Sequence, residues 1–185
     1  MTSTNLLPNP PIHAGREPLL LERIGTPVGE MLLVTDGDGC LCAADFHDYE
    51  DRMLRLLRLY QPSGTLREGR APNPVRDALA AYFAGETRAL DRIAVQTGGT
   101  AFQQKAWREL RTIPAGQTMT YGQLAARIGA PKAVRAVGAA NGANPVSIVV
   151  PCHRLIGANG RLTGYGGGLG RKRWLLAHEG AGEFL

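Results

Sequence analysis

Three observations on this sequence predict an α+β fold in two parts. Short apolar, strand-like runs separated by Gly, Pro and Asp clusters fill residues 19–46, which marks an antiparallel meander. From residue 49 onward the apolar residues recur at helical spacing. Charge then divides the chain, with 10 Lys/Arg against 13 Asp/Glu in residues 1–95 and 11 against 3 in residues 96–185. We expect a disordered tail over 1–17, a small N-terminal antiparallel sheet with helices over 18–94, and a mostly helical C-terminal domain over 95–185.

The N-terminal elements follow in order. Leu19-Leu20-Leu21 through Ile24 reads as a first strand, and Gly25-Thr26-Pro27 with Gly29 punctuates it. Met31 to Val34 is a second strand, Asp36-Gly37-Asp38-Gly39 a turn, and Leu41 to Phe46 a third strand. Over 49–60 the period switches: Met53, Leu54, Leu56, Leu57 and Tyr60 share a helical face, with Arg52, Arg55 and Arg58 on others. Residues 61–72 read as a loop. Asn73-Pro74 then opens a helix as cap and first-turn proline, with Leu79, Tyr82 and Phe83 inward and Gly85 at its end. Cys40, Cys42 and His47 fit no common zinc spacing and lack an evident fourth ligand, so packing is the expected role and no metal is expected.

The basic half carries stronger local signals. Thr100-Ala101-Phe102-Gln103 is a capping box, and Phe102, Ala106, Trp107, Leu110 and Ile113 make one apolar face ahead of Pro114. Thr120-Tyr121-Gly122-Gln123 is a second capping box opening a short helix that Gly129 closes. Pro131 is expected to start the next helix, running to about Asn141, with Val134 and Val137 facing the first helix and Arg135 projecting elsewhere. Two short helices joined this tightly form a helix-turn-helix pattern, which a deficit of acids makes suitable for nucleic acid. The glycines of residues 164–170 precede a last helix but do not match the dinucleotide fingerprint. They let backbone approach a flat ligand closely. In that last helix Arg171, Lys172 and Arg173 lie at the positive dipole end and Glu179 at the negative end. This reversal costs a few tenths of a kcal/mol per exposed residue, as if the cations served a phosphate backbone and Glu179 a histidine.

The chemistry concentrates at Pro151-Cys152-His153-Arg154, after the apolar run Ile148-Val149-Val150. Only a thiolate attacks, and an ordinary thiol is about 3% ionised at pH 7, so a neighbouring base or cation is what such a residue needs. His153 and Arg154 are expected to supply both. In an extended chain, residues 152 and 153 point apart, which favours a bridging water over direct contact.

Three cysteines, an odd number, with no apolar secretory segment in the proline-bearing first 17 residues, point to a reducing cytoplasmic setting. No run of about 18 apolar residues is present, so no membrane partner is expected.

In its C-terminal half the sequence resembles the O6-alkylguanine-DNA alkyltransferases, specifically the bacterial stand-alone type. The resemblance rests on Pro151 to Gly157, Thr120 to Ala125, Ala133 to Gly138, Asn141 to Pro145, Thr163 to Gly168 and Trp174 to Gly180. It implies an RNase H-like N-terminal lobe and single-turnover transfer of an alkyl group from O6-alkylguanine, and from O4-alkylthymine, in duplex DNA to Cys152. His153 would act as base through a water, Glu179 would orient it, and Asn144 would support the turn leading to the site. Tyr121 would help rotate the nucleotide and protonate the departing guanine. Arg135 would enter the minor groove and fill the gap left by the flipped base. Ala133, Val134, Arg154 and Lys172 would join Tyr121 and Arg135 at the DNA, and Tyr165, Gly166 and Gly167 would wall the base pocket. No cofactor is implied. The implied partner is double-stranded DNA read with little sequence specificity, by a monomer able to cluster on it. Some relatives carry serine where this chain has Gly166, and some bind zinc through residues that Cys40, Cys42 and His47 do not reproduce.

Three rivals are weighed against this. A zinc deaminase needs a second Cys where Leu155 stands, together with a His-x-Glu that is absent. A helix-turn-helix regulator would not need a poised cysteine. An alkyltransferase-like lesion binder replaces the cysteine that is present here.

Overall fold

The structure, a computed structural model, describes residues 18–182; the tail expected over 1–17 lies outside the described residues. Three strands, β1 (Leu19–Thr26), β2 (Gly29–Thr35) and β3 (Leu41–Phe46), form the expected meander. A fourth strand, β4 (Leu66–Glu68), lies in the stretch read as loop and pairs parallel to β1, giving the order β3-β2-β1-β4. The sheet is therefore mixed at that edge. Three polar-flanked residues carry too little periodicity to announce a strand, and only the long-range pairing reveals it.

Alternation along β2 sorts the core. Met31 and Leu33 face a large cluster shared with the C-terminal half, while Leu32 and Val34 turn to the other face, against Met53 and Leu57. Those two belong to α1 (Glu50–Tyr60), which covers that face. Every residue of β3 is buried, because it is packed on both sides and paired at its edges. The helix α2 (Asn73–Phe83) starts one residue earlier than its sequence signal: Pro72 is the cap, without a side-chain bond, and Asn73 is already helical. Pro74 in the first turn costs nothing, since that N–H would have no helical partner. Tyr82 is fully buried, and Phe83 packs edge-on against it at 5.2 Å.

Both capping boxes form as expected, ahead of α3 (Ala101–Leu110) and α4 (Tyr121–Arg127). In each, the threonine oxygen accepts from the third backbone N–H and the glutamine carbonyl accepts from the cap N–H. Gly129 closes α4 with φ +73°. The next helix, α5 (Val134–Gly142), begins three residues later than Pro131, which sits in a turn. Val137 is buried against the preceding helices, whereas Val134 is 39% exposed and does not face them as expected. Trp107 of α3 donates its indole N–H to the Ala140 carbonyl at 2.8 Å, fixing α5 on α3. A two-stranded parallel ladder, β5 (Met119–Thr120) with β6 (Leu155–Ile156), and α6 (Leu169–His178) complete the chain. No described helix is long and apolar enough to cross a membrane.

The segment ahead of Cys152 is held by the sheet. Ala44 donates to the Pro145 carbonyl at 2.9 Å, and Ser147 donates back to the Ala44 carbonyl at 2.7 Å. Residues 145–147 thus add to the edge of β3. Within this segment Ile148 has φ +70°, the one described non-glycine residue with positive φ. A β-branched residue there costs about 1–3 kcal/mol and persists only because the surroundings fix it.

Candidate active site

Cys152, His153 and Arg154 form a single 3₁₀ turn rather than extended chain, capped by Pro151. All three side chains are buried, Cys152 at 4% exposure and His153 at 0%. His153 Nε2 lies 2.9 Å from Glu179 Oε1. Glu179 caps the C-terminus of α6, so the reversed charge at that helix end serves a histidine as expected. Burial pushes the Glu179 carboxyl up, but the His153 ring and the Arg154 guanidinium outweigh it and hold it well below the usual carboxylate range. Burial also pushes the His153 imidazolium down, against the pull of Glu179. A neutral ring facing a carboxylate carries its proton on Nε2, which leaves Nδ1 as the lone-pair nitrogen. His153 Nδ1 is buried and has no hydrogen-bond partner among the described residues.

Two cations expected at a DNA surface are inside. Arg154 donates through Nε and Nη2 to Glu179 at 2.8 and 2.9 Å and through Nη1 to the Ile113 carbonyl. The Lys172 ammonium donates to the Leu155 and Thr163 carbonyls, and burial lowers its pKa to about 8. Neither can reach a phosphate. Arg171 is also committed within the fold, to Asp48 at 2.8 Å and the Val28 carbonyl at 2.8 Å, with its guanidinium over the Phe46 ring. Arg171 therefore joins the two halves, and the burial of Arg154 and Lys172 corrects their phosphate reading. Sequence composition missed this because charged residues are almost never fully buried unless paired.

The Cys152 sulfur accepts from Asn144 Nδ2 at 3.0 Å. The same amide donates to the Val150 carbonyl at 2.9 Å, and Asn144 Oδ1 accepts from Val146 N–H at 3.0 Å. Burial pushes the Cys152 thiol up, opposed by this hydrogen bond and by the charges of Arg52 and Lys172. The cations that oppose burial at this sulfur are Arg52 and Lys172, rather than the Arg154 expected from its place beside the cysteine. Burial also drives the Cys42 thiol up, to about 12 and away from reactivity, with nearby Asp36 adding to the effect. His47 faces Arg23 and Glu50 at the surface, and no described group of acidic, Cys or His side chains is arranged to hold a metal.

A cavity of about 750 Å³ opens beside this centre, lined by Tyr121, Val134, Arg135, Asn141, Tyr165 and Gly166 among others. It brings together the first residue of α4, the exposed face of α5 and the glycine loop. The phenolic oxygen of Tyr121 accepts from Thr163 Oγ1 at 3.2 Å, so its own proton is available to the cavity. Arg135 is exposed at the mouth, on the second residue of α5, with Ala133 half-buried ahead of it. Gly167 does not line the cavity; a Cβ there would stand 2.5 Å from the Phe46 ring. Its role is close packing behind Tyr165. At Gly166 a Cβ would stand 2.9 Å from Arg52 Cζ. Arg52 is held there by Asp45 and by the Gly142 and Asn144 carbonyls at 2.7 and 3.0 Å. Sequence reasoning gave Arg52 and Tyr82 no part in the site, since both come from the N-terminal half.

The site is thus a buried cysteine next to a His–Glu pair, with a helix-turn-helix surface and a cavity adjoining it. A family model described as the DNA-binding domain of 6-O-methylguanine DNA methyltransferase matches residues 101–181. The methylated-DNA–protein-cysteine methyltransferase of Salmonella typhimurium is 54% identical over 164 residues, covering 88% of this chain and 96% of that protein. That of Mycolicibacterium paratuberculosis is 53% identical over 138 residues, covering 70% and 81%. Among solved structures, a Mycobacterium tuberculosis protein of this kind in complex with DNA is 41% identical with a TM-score of 0.73, covering 86% of this chain and 92% of that one. The chain belongs to the methylated-DNA–protein-cysteine methyltransferase family.

Proposed function

We propose that this protein repairs alkylated DNA by moving the alkyl group of O6-alkylguanine, and of O4-alkylthymine, onto its own Cys152, once per molecule. The observation that carries this reading is the His153–Glu179 contact of 2.9 Å, with Nδ1 left unpaired beside a buried cysteine. His153 Nδ1 takes the thiol proton through a water. The sulfur attacks the alkyl carbon, the carbon–oxygen bond breaks, and its electron pair passes to the base. Tyr121 protonates the base as charge develops, which lowers the barrier because a neutral base departs more readily than an anion. The bond formed is a thioether, which has no easy hydrolytic exit, so the protein is consumed.

The target carbon is out of reach within a stacked duplex, so the nucleotide rotates into the cavity between Tyr121, Tyr165 and Gly166. Arg135 enters the minor groove and occupies the vacated place. The exposed small side chains Ala136 and Ala139 let α5 lie close to the groove. Phosphate contacts dominate such binding, which gives little sequence preference and steep salt dependence. The protein acts as a monomer that can cluster on DNA in the cell interior. In this division of labour residues 95–185 carry transfer and DNA contact, and residues 18–94 brace the cysteine loop. Lesion binding without transfer is disfavoured, because the cysteine that such binders replace is present here as Cys152.

Incubation with a duplex carrying labelled O6-methylguanine tests the reading. Label should move to the wild-type protein and stay on the DNA with Cys152→Ala. Label remaining on DNA bound by the wild-type protein would make it a lesion binder.

A further inference from the structure

We propose that Tyr82, from the N-terminal half, is a positioning residue of the His153–Glu179 pair that restrains how strongly Glu179 charges His153. This rests on the transfer reading above and adds a residue that the C-terminal motifs do not contain. The Tyr82 hydroxyl donates to Glu179 Oε1 at 2.9 Å, and both groups are buried. His153 Nε2 and Arg154 Nη2 reach the same oxygen, each at 2.9 Å, so three donors share it, and Arg154 Nε takes the other oxygen. A donor on a carboxylate stabilises its charge and so weakens its pull on any other proton facing it. Tyr82 therefore competes with His153 for one oxygen.

The geometry fixes Tyr82 from several sides. Its carbonyl lies 2.7 Å from His178 Nε2, the His178 ring meets its ring edge-on at 5.0 Å, and Phe83 does so at 5.2 Å. Burial, and then the Glu179 charge, push the phenol far up, so it remains a donor at any working pH. The titratable and charged groups facing His153 are Glu179, Arg154, Lys172, the neighbouring Cys152 and Tyr165, whose ring is 6.3 Å away. Burial holds the His153 imidazolium down and Glu179 pulls it up, so a donor that weakens that pull favours the neutral ring. A neutral His153 can accept the thiol proton; a permanently charged one cannot.

Tyr82→Phe removes only the hydroxyl. The imidazole of His153, followed by ring-nitrogen NMR, should then titrate at a pH higher by about 0.5–1 unit, the worth of one typical hydrogen bond. The acid limb of the transfer rate with free O6-benzylguanine should move upward by the same amount. Phe83→Leu, which loosens the same packing without touching Glu179, should lower stability and leave both titrations in place. Site-specific fluorotyrosine at position 82, a stronger donor of the same shape, should move them down, and it serves if Tyr82→Phe does not fold. Coincident titrations in wild type, Tyr82→Phe and the fluorotyrosine protein would overturn the assignment while leaving transfer intact. A wild-type protein that takes up no alkyl group at Cys152 would overturn the transfer reading, and the role of Tyr82 with it.

Discussion

The side-chain amide of Asn144 stands 3.0 Å from the Cys152 sulfur and also ties the Val146 N–H and the Val150 carbonyl. One residue thus shapes the loop and donates to the sulfur, opposing the burial that pushes the thiol up. Asn144→Ala should cost about 1–3 kcal/mol through buried backbone groups left unpaired. It should also shift the alkaline rise of Cys152 reactivity to higher pH. Urea unfolding and the pH dependence of O6-benzylguanine transfer check the two effects. A stability loss with an unmoved pH profile would confine Asn144 to the loop.

Arg135 is exposed on α5 and Arg154 is paired inside, so the proposed DNA contact and internal pairing can be tested apart. Arg135→Ala should slow repair of duplex lesions and leave reaction with free O6-benzylguanine nearly intact, because the inserted side chain offsets only the cost of unstacking. Arg154→Ala should instead destabilise the fold by about 3–5 kcal/mol, since it strands the Glu179 charge in the interior. Melting curves and single-turnover rates on both substrates distinguish them. Equal losses on both substrates for Arg135→Ala would remove the finger role.

Gly166 leaves no room for the serine that some relatives carry. A Cβ there meets the Arg52 guanidinium at 2.9 Å, and Arg52 is held by three partners. Gly166→Ser should therefore lower stability by about 1–3 kcal/mol, as overpacking of a fixed neighbour does. Calorimetry would show the drop. A neutral or stabilising substitution would mean Arg52 is free to move aside.

His153 predicts an acid weakening of the fold. Its folded pKa lies below the ordinary 6.5, chiefly through burial. The unfolded chain therefore binds a proton that the folded one refuses, so the contribution is complete above pH 6.5 and is lost as pH falls toward the folded pKa. The loss approaches about 1.4 kcal/mol per pH unit. Urea midpoints measured between pH 7 and about pH 5 should fall in the wild type and fall less in His153→Gln. Parallel curves would show that His153 titrates alike in the folded and unfolded chain.

The features legible in the sequence were local ones. Thr100 with Gln103 and Thr120 with Gln123 announce helix starts because donor and acceptor lie three residues apart, and both boxes form. Glu179 could be assigned to a histidine because it sits at an unfavourable helix end. Features set by distant contacts stayed hidden. Arg154 and Lys172 read as surface cations, and only the fold supplies the carboxylate and carbonyls that bury them. Strand β4 owes its existence to β1, and the left-handed backbone of Ile148 contradicts its own β-branched preference. Tyr82 and Arg52 reach the site from elements about 70 to 100 residues upstream of the cysteine motif, a distance no motif spans.

The central claim is that Cys152 is the acceptor and is used once. Lowering a thiol pKa raises the thiolate fraction at pH 7 by at most about thirtyfold, and here burial raises the pKa instead. Positioning in a dry pocket must therefore supply most of the acceleration, about 7–11 kcal/mol. The thioether that transfer would form has no easy hydrolytic exit. The most direct test is rapid mixing with excess duplex containing O6-methylguanine, followed by peptide mass mapping. The expected result is a burst equal to the protein concentration, no further repair, and one methyl group on the peptide containing Cys152. Sustained turnover, or methyl found on Cys40 or Cys42, would contradict it.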